Sequence, residues 1–247
     1  CRSTSKGRRL VKATIMQPAY LPWLGFFHRA ALADLLIVLD DVQIDRNSKT
    51  GFAHRNRVRT QQGSTWLTIP LRIKGKHGAA YLHELEPAED QPWRFKHLQT
   101  LRHAYGRTPY FAAYAERLAE FYERRDVRLL DVLRASMEWQ FAALGLTTPV
   151  VYASTLDVEG AKDERILNLC RRIGATTYVS GPFGRDYLRE DSFNDAGIEV
   201  VYHDYVHPTY PQAYPGFEPF MAAVDLLFNC GPESLRILCS AAEGASR

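Results

Sequence analysis

Residues 35–39, Leu-Leu-Ile-Val-Leu, form an unbroken apolar run that ends in Asp40 and Asp41. A strand with one wet face alternates polar and apolar residues. One without alternation is buried on both faces, as in a parallel sheet sandwiched between helices. The preceding residues agree: 11–17 are a short β-prone stretch stopped by Pro18 and Pro22, and 23–34 carry Leu24, Phe27 and Ala31 at helical spacing. Strand, loop, helix, strand is a βαβ unit. Its right-handed crossover brings the 17–25 loop beside the 40–43 loop at the carboxyl ends of the strands, the edge where α/β sheets hold ligands.

After an interruption the pattern resumes. Residues 54–59 and 66–71 read as two strands joined by a Gln61-Gln62-Gly63-Ser64 turn. From 92 to about 145 the spacing is helical, with breaks at Pro109 and around Asp126. Strand 149–152, helix 163–173 closed by Gly174, strand 176–180, a short helical piece and strand 199–203 follow. An irregular stretch at 204–219 and helices at 220–228 and 232–242 complete the chain. The expected fold is therefore α/β: a Rossmann-like, mostly parallel sheet with flanking helices and a helical insertion. One domain is expected over 11–247 behind a basic, disordered leader at 1–10, since no internal repeat or long Gly/Ser linker divides it.

Composition narrows the function. A net charge of +3 without a broad Lys/Arg patch argues against nucleic acid as partner. No run of about 18 apolar residues is present to span a membrane. Cys1, Cys170, Cys230 and Cys239 make no CxxC pair and read as free, buried thiols of a cytoplasmic protein. Lys12, Gln17 and Pro18 interrupt the stretch that a secretory signal would need to be apolar.

Candidate site residues cluster at the strand ends. The two-proline loop displays Gln17, Tyr20 and Trp23 at a helix N-terminus, a seat for phosphate or carboxylate, with His28 one turn in as a base. Asp40, Asp41 and Gln43 follow the second strand, and Asp41 is the carboxylate placed to accept a proton. In His54-Arg55-Asn56-Arg57-Val58-Arg59, alternation sets the three arginines on one face, with Arg55 and Arg57 as anchors for an anion and Asn56 beside them. Residues 46–52 look like a mobile loop near the same edge. Trp93 and Tyr105 read as core, and His97 as a residue that can face the site. Ser180, Gly181 and Arg185 lie where small residues let backbone N–H groups approach a ligand; the ending of a P-loop is absent. His203, Asp204, Tyr205, His207 and Gln212 close the last strand, His203 being a second candidate base. His203 and His207 lack the companions of a zinc site. The balance of charge is read as arginines 55, 57 and 185 set against Asp40, Asp41 and Asp204, with Tyr20, Trp23, Tyr205 and Tyr210 lining one cleft.

Several of these stretches, MQPAYLPWLGFF (16–27), DDVQ (40–43), HRNRV (54–58), WLTIP (66–70), PWRFKH (92–97), YVSGPFGRDYL (178–188), HDYVHPTYPQ (203–212) and DLLFNCGPES (225–234), resemble the WbqC-like protein family in this order. The resemblance implies a bacterial cytoplasmic protein of O-antigen or secondary-metabolite pathways, with transfer of an amino acid, glycine in particular, or another acyl group as the activity. The substrate would be a small anionic or activated acyl compound; the resemblance names no cofactor. The 14–34 opening is also similar to HIGH-type nucleotidyltransferases, with the two signature histidines replaced within 23–26. A nucleotide-dependent ligase and a non-catalytic ligand-binding protein of a biosynthetic cluster are the alternatives.

Overall fold

The computed structural model describes residues 10–44, 53–72 and 80–240. The leader through residue 9, Cys1 and the 46–52 loop lie outside the described residues. In chain order the elements are β1 (Lys12–Met16), α1 (Leu24–Ala31), β2 (Leu35–Val38), β3 (Gln43–Ile44), β4 (Arg55–Thr60), β5 (Gly63–Thr68) and β6 (Ala80–Tyr81). Then come α2 (Trp93–Tyr105), α3 (Phe111–Glu123), α4 (Leu129–Leu144), β7 (Val150–Tyr152), α5 (Lys162–Arg172), β8 (Thr177–Ser180), α6 (Glu190–Asp195), β9 (Glu199–Tyr202), α7 (Ala223–Cys230) and α8 (Ser234–Ser240).

Five strands make one parallel sheet in the order β7-β2-β1-β8-β9. The fold is Rossmann-like α/β. The chain winds outward from β1 through β2 to β7, returns to the other side of β1 as β8 and continues to β9. The reversal between β1 and β8 is the topological switch point at whose carboxyl end such sheets bind ligands.

The apolar run is explained by burial on two faces. Leu36 and Val38 join Met16, Phe27 and residues of α2, α3, α4 and α7 on one side, whereas Ile37 joins Ala13, Ile15, Tyr178 and the apolar face of α5 on the other. The middle of the chain breaks into three helices around Pro109 and Asp126, as its spacing indicates. Gly145 ends α4 in the left-handed region (φ 71°) and donates to the carbonyls of Ala142 and Phe141.

Three details differ from the sequence reading. Gln61 and Gln62 alone form the hairpin turn, so β5 begins at Gly63 rather than Trp66; Thr60 pairs with Gly63, whose φ of +119° favours glycine. The short β3·β6 pair carries too few residues to leave a pattern. Cys170 and Cys230 are buried, but Cys239 lies on the exposed side of α8. Among the described residues, no helix is long and apolar enough to cross a membrane.

Candidate functional site

The loop after β1 is clamped. The Leu21 N–H donates to Ser136 Oγ (2.8 Å), Asn56 Nδ2 donates to the Leu21 carbonyl (2.5 Å), and the Tyr20 N–H donates to the Ala53 carbonyl. Leu21 is thereby held at φ 43°, a conformation rare for a side-chain-bearing residue. Two expectations change as a result. Asn56 is buried as a strut of the loop, and Tyr20 is fully buried rather than lining a cleft. The Tyr20 hydroxyl meets His97 Nδ1 at 2.8 Å and Tyr122 Oη at 2.5 Å. Since the His97 ring also makes a backbone hydrogen bond to Thr68, Nδ1 is the acceptor, Tyr20 donates to it, and Tyr122 donates to Tyr20. Burial pushes the His97 pKa down to about 4. His97 therefore staples α2 to the loop that follows β1.

The N-terminus of α1 is covered. A Cβ on Gly25 would lie 2.3 Å from the Trp23 ring, so the indole folds back over the first helical turn where an anion was expected. Trp23 instead packs edge-on against Tyr205, with ring centroids 5.4 Å apart.

Beyond Trp23, α1 delivers His28 to the end of β9. The ladder continues past that strand, the His203 N–H donating to the Ser180 carbonyl (2.9 Å). Alternation then turns His203, Tyr205 and His207 to one side and Asp204 to the other. His28 Nδ1 and His203 Nε2 are 2.7 Å apart, both rings are buried, and the Tyr205 ring lies tilted against each, with centroids 5.2 and 5.6 Å away. Burial lowers the His28 pKa; burial first, then the neighbouring His28 and Arg29, pushes His203 down to about 4. The pair is thus neutral near pH 7. In either tautomer one ring donates to the other, and one outward ring nitrogen keeps a lone pair able to take a proton.

Arg29, the next residue, was not anticipated. Its guanidinium lies against the chain leaving β8: a Cβ on Gly181 would be 2.3 Å from Arg29 Nη1. Glycine here does what the sequence suggested for this loop, allowing close approach, but the approaching group belongs to the protein. Ser180 is buried beneath Gly184 and donates to the Gly181 carbonyl (3.1 Å). On the outer side, Arg185 grips Asp204 through two hydrogen bonds of 2.8 and 2.7 Å. Gln17 and Gln43 are exposed at the ends of the loops that follow β1 and β2.

Of the arginines at 55, 57 and 185 set against Asp40, Asp41 and Asp204, Arg185 pairs with Asp204 among the described residues, and Asp40 and Asp41 take other partners. Asp40 is buried and fully engaged by Arg134 (2.6 Å) and by the N–H and hydroxyl of Ser154 (3.0 and 2.7 Å). Asp41 pairs with Arg165 and keeps one oxygen, Oδ1, buried without a partner among the described residues. Arg55 and Arg57 instead lie over the exposed Trp66 indole, 4.8 and 5.7 Å from its centroid, since β4 and β5 place them cross-strand on the outer face. Arg59 is turned into the protein. Arg134 and Arg165 reach their aspartates from helices about a hundred residues away in sequence, which leaves no local signal.

The last segment is fixed by an unexpected carboxylate. Asp225 on α7 is fully buried and accepts from Tyr105, Tyr210 and Gln212, at 2.8, 2.8 and 2.9 Å. Gln212 and Tyr210 are thereby structural. Burial raises the Asp225 pKa, and the three donors oppose that rise. His207 donates from Nδ1 to the Pro208 carbonyl and is ringed by Tyr205, Tyr210, Phe217 and Phe220, its Nε2 left without a partner among the described residues. Among the described residues no group of three His, Cys, Asp or Glu is disposed to hold a metal.

Residues 17–237 match the WbqC-like protein family. The chain belongs to that family. This WbqC-like chain is also 35% identical over 225 residues, 90% of its length and 95% of the relative's, to a Mycobacterium tuberculosis protein named "Uncharacterized protein Rv1507c". No solved structure matches it. The match spans the clamped loop, the histidine pair and the Asp225 network of the WbqC-like protein.

Proposed function

We propose that the protein is a transferase that moves an amino-acid group, glycyl in particular, or another acyl group to a small amino- or hydroxyl-bearing acceptor in a bacterial polysaccharide or secondary-metabolite pathway. The observation that carries this reading is the neutral His28–His203 pair beside the switch-point edge of the sheet. An acyl transfer needs a base to take the acceptor proton and a cation or N–H donor for the developing oxyanion. The free lone pair of the dyad accepts that proton as the acceptor nitrogen or oxygen bonds to the acyl carbon. Arg29 and the Gly181 backbone meet the oxyanion. As the tetrahedral centre collapses, the bond to the leaving group breaks and the proton passes to it. Asp41 and the Arg185–Asp204 pair flank the same edge and orient the substrate.

Metabolite profiling of a deletion strain tests the reading, with accumulation of an intermediate lacking the acyl group as the expected result. Purified protein should then convert that intermediate with an activated donor, and His203→Gln should lower kcat by about 100-fold, in the range of a lost general base. An unchanged metabolite profile, or full turnover by both His203→Gln and His28→Gln, removes it. Because both rings are already neutral, the acid limb of the kcat/KM profile should fall well below pH 6.5.

The strand order favours a second reading, a nucleotide-dependent ligase, since switch points of this kind suit nucleotides. An aminoacyl-adenylate analogue with Mg²⁺ should then raise the Tm; no shift counts against it.

A further inference from the structure

A groove of about 450 Å³ lies between the β4–β5 hairpin tip, α2 and the loop before α7. Thr60, Gln61, Gln62, Gln99, Thr100 and Tyr214 line it together with His103, and among the described residues no Asp, Glu, Lys or Arg lines it. Each amide offers a donor and an acceptor side by side, and each hydroxyl does both from one atom. That lining matches a ligand carrying many neutral hydroxyls and matches neither an anion nor a cation. The Tyr214 ring adds a π face, whose negative quadrupole suits the C–H face of a pyranose.

A buried network that the strand-end chemistry does not use holds these walls in place. Arg59 is only 4% exposed, and its guanidinium donates to the carbonyls of Thr60 (2.9 Å) and Gly63 (2.6 Å) at the hairpin tip. It also donates to the Pro215 carbonyl (2.7 Å) and pairs with Glu218. The same guanidinium sits 5.8 Å over the Tyr214 ring, whose hydroxyl donates to the Ala104 carbonyl on α2 (2.8 Å). One buried charge thus ties together the two segments that bound the groove on either side of α2. Such a group is costly to desolvate and gives geometric definition in return.

We infer that this groove is a carbohydrate subsite, taking a neutral pyranose through the three glutamine amides and the face of Tyr214. It stands apart from the histidine pair and does not depend on the activity proposed there.

Saturation-transfer NMR with the methyl glycosides of glucose, galactose, mannose and N-acetylglucosamine at millimolar concentration tests it. At least one glycoside should receive saturation from the wild-type protein. The Gln62→Ala/Gln99→Ala double variant, whose altered side chains are exposed and leave the fold intact, should weaken binding about tenfold, as the loss of two hydrogen-bonding amides implies. No transfer to any of the four, or an equal signal in the double variant, overturns the assignment. So does a signal abolished by His203→Gln, which would place the sugar at the strand ends instead.

Discussion

Gly181 and Arg29 illustrate how a single missing methyl group shapes the strand-end site. The guanidinium lies so close that any Cβ would collide with Nη1, yet Nη1 is the free end of a flexible side chain. Gly181→Ala should therefore cost little stability, under about 1 kcal/mol by urea denaturation, because the arginine can swing aside. Activity should suffer far more, as the displaced cation no longer meets the oxyanion. Stability and activity lost in proportion would show that Arg29 is a packing residue only. The histidines teach a related lesson. His28 and His203 are distant in sequence and bonded in space; burial lowers the pKa of His28, and for His203 burial together with His28 and Arg29 outweighs the opposing pull of Asp204.

At the scale of elements, α7 carries more than its apolar face suggests. Its Asp225 draws together Tyr105 at the end of α2, Tyr210 and Gln212 on the irregular segment and, through the Tyr105 hydroxyl, the N–H of Arg59 on β4. Replacing it by alanine leaves buried donors with no acceptor. Asp225→Ala should lower the unfolding free energy by about 3 kcal/mol, and Asp225→Asn by less, since one acceptor oxygen survives. A loss below about 1 kcal/mol in Asp225→Ala would mean that water replaces the carboxylate and the segment is held by packing instead. The helical middle of the chain was legible because Pro109 and Asp126 punctuate it. The hairpin tip was read two residues too long, because Ser64 and Gly63 look like turn residues while the positive φ of Gly63 already closes the turn.

For the whole molecule, buried neutral histidines give stability a defined pH dependence. His97 and His203 are pushed down to about 4, whereas in the unfolded chain they titrate near their ordinary 6.5. Between these values the unfolded state binds more protons than the folded one, so stability is fully present above about pH 6.5 and falls as the pH drops toward 4. Each such group contributes a slope of at most about 1.4 kcal/mol per pH unit, less where solvent reaches the ring. Urea midpoints measured from pH 7.5 to 4.5 should fall accordingly, and His97→Gln should flatten the decline. A midpoint independent of pH over that window would contradict the neutral, buried assignment.

The sequence by itself determined the architecture. An apolar run without alternation, a two-proline loop and helical spacing interrupted at Pro109 and Asp126 act through neighbouring residues, and local sterics and burial suffice to read them. Which strand-end residues meet was decided only by the tertiary structure. Tyr20 and Gln212 looked like ligand contacts and are struts; Asp40 and Asp41 were set against Arg55 and Arg57 and are held by Arg134 and Arg165; Arg59 shared a face with Arg55 and Arg57 and turns inward, and nothing in the sequence pointed to the roles of Arg29 and Asp225. A charge buried in the fold needs a partner at hydrogen-bonding distance, and the partner's position in the chain is free, so only the packing of α4, α5 and α7 against the sheet selects it.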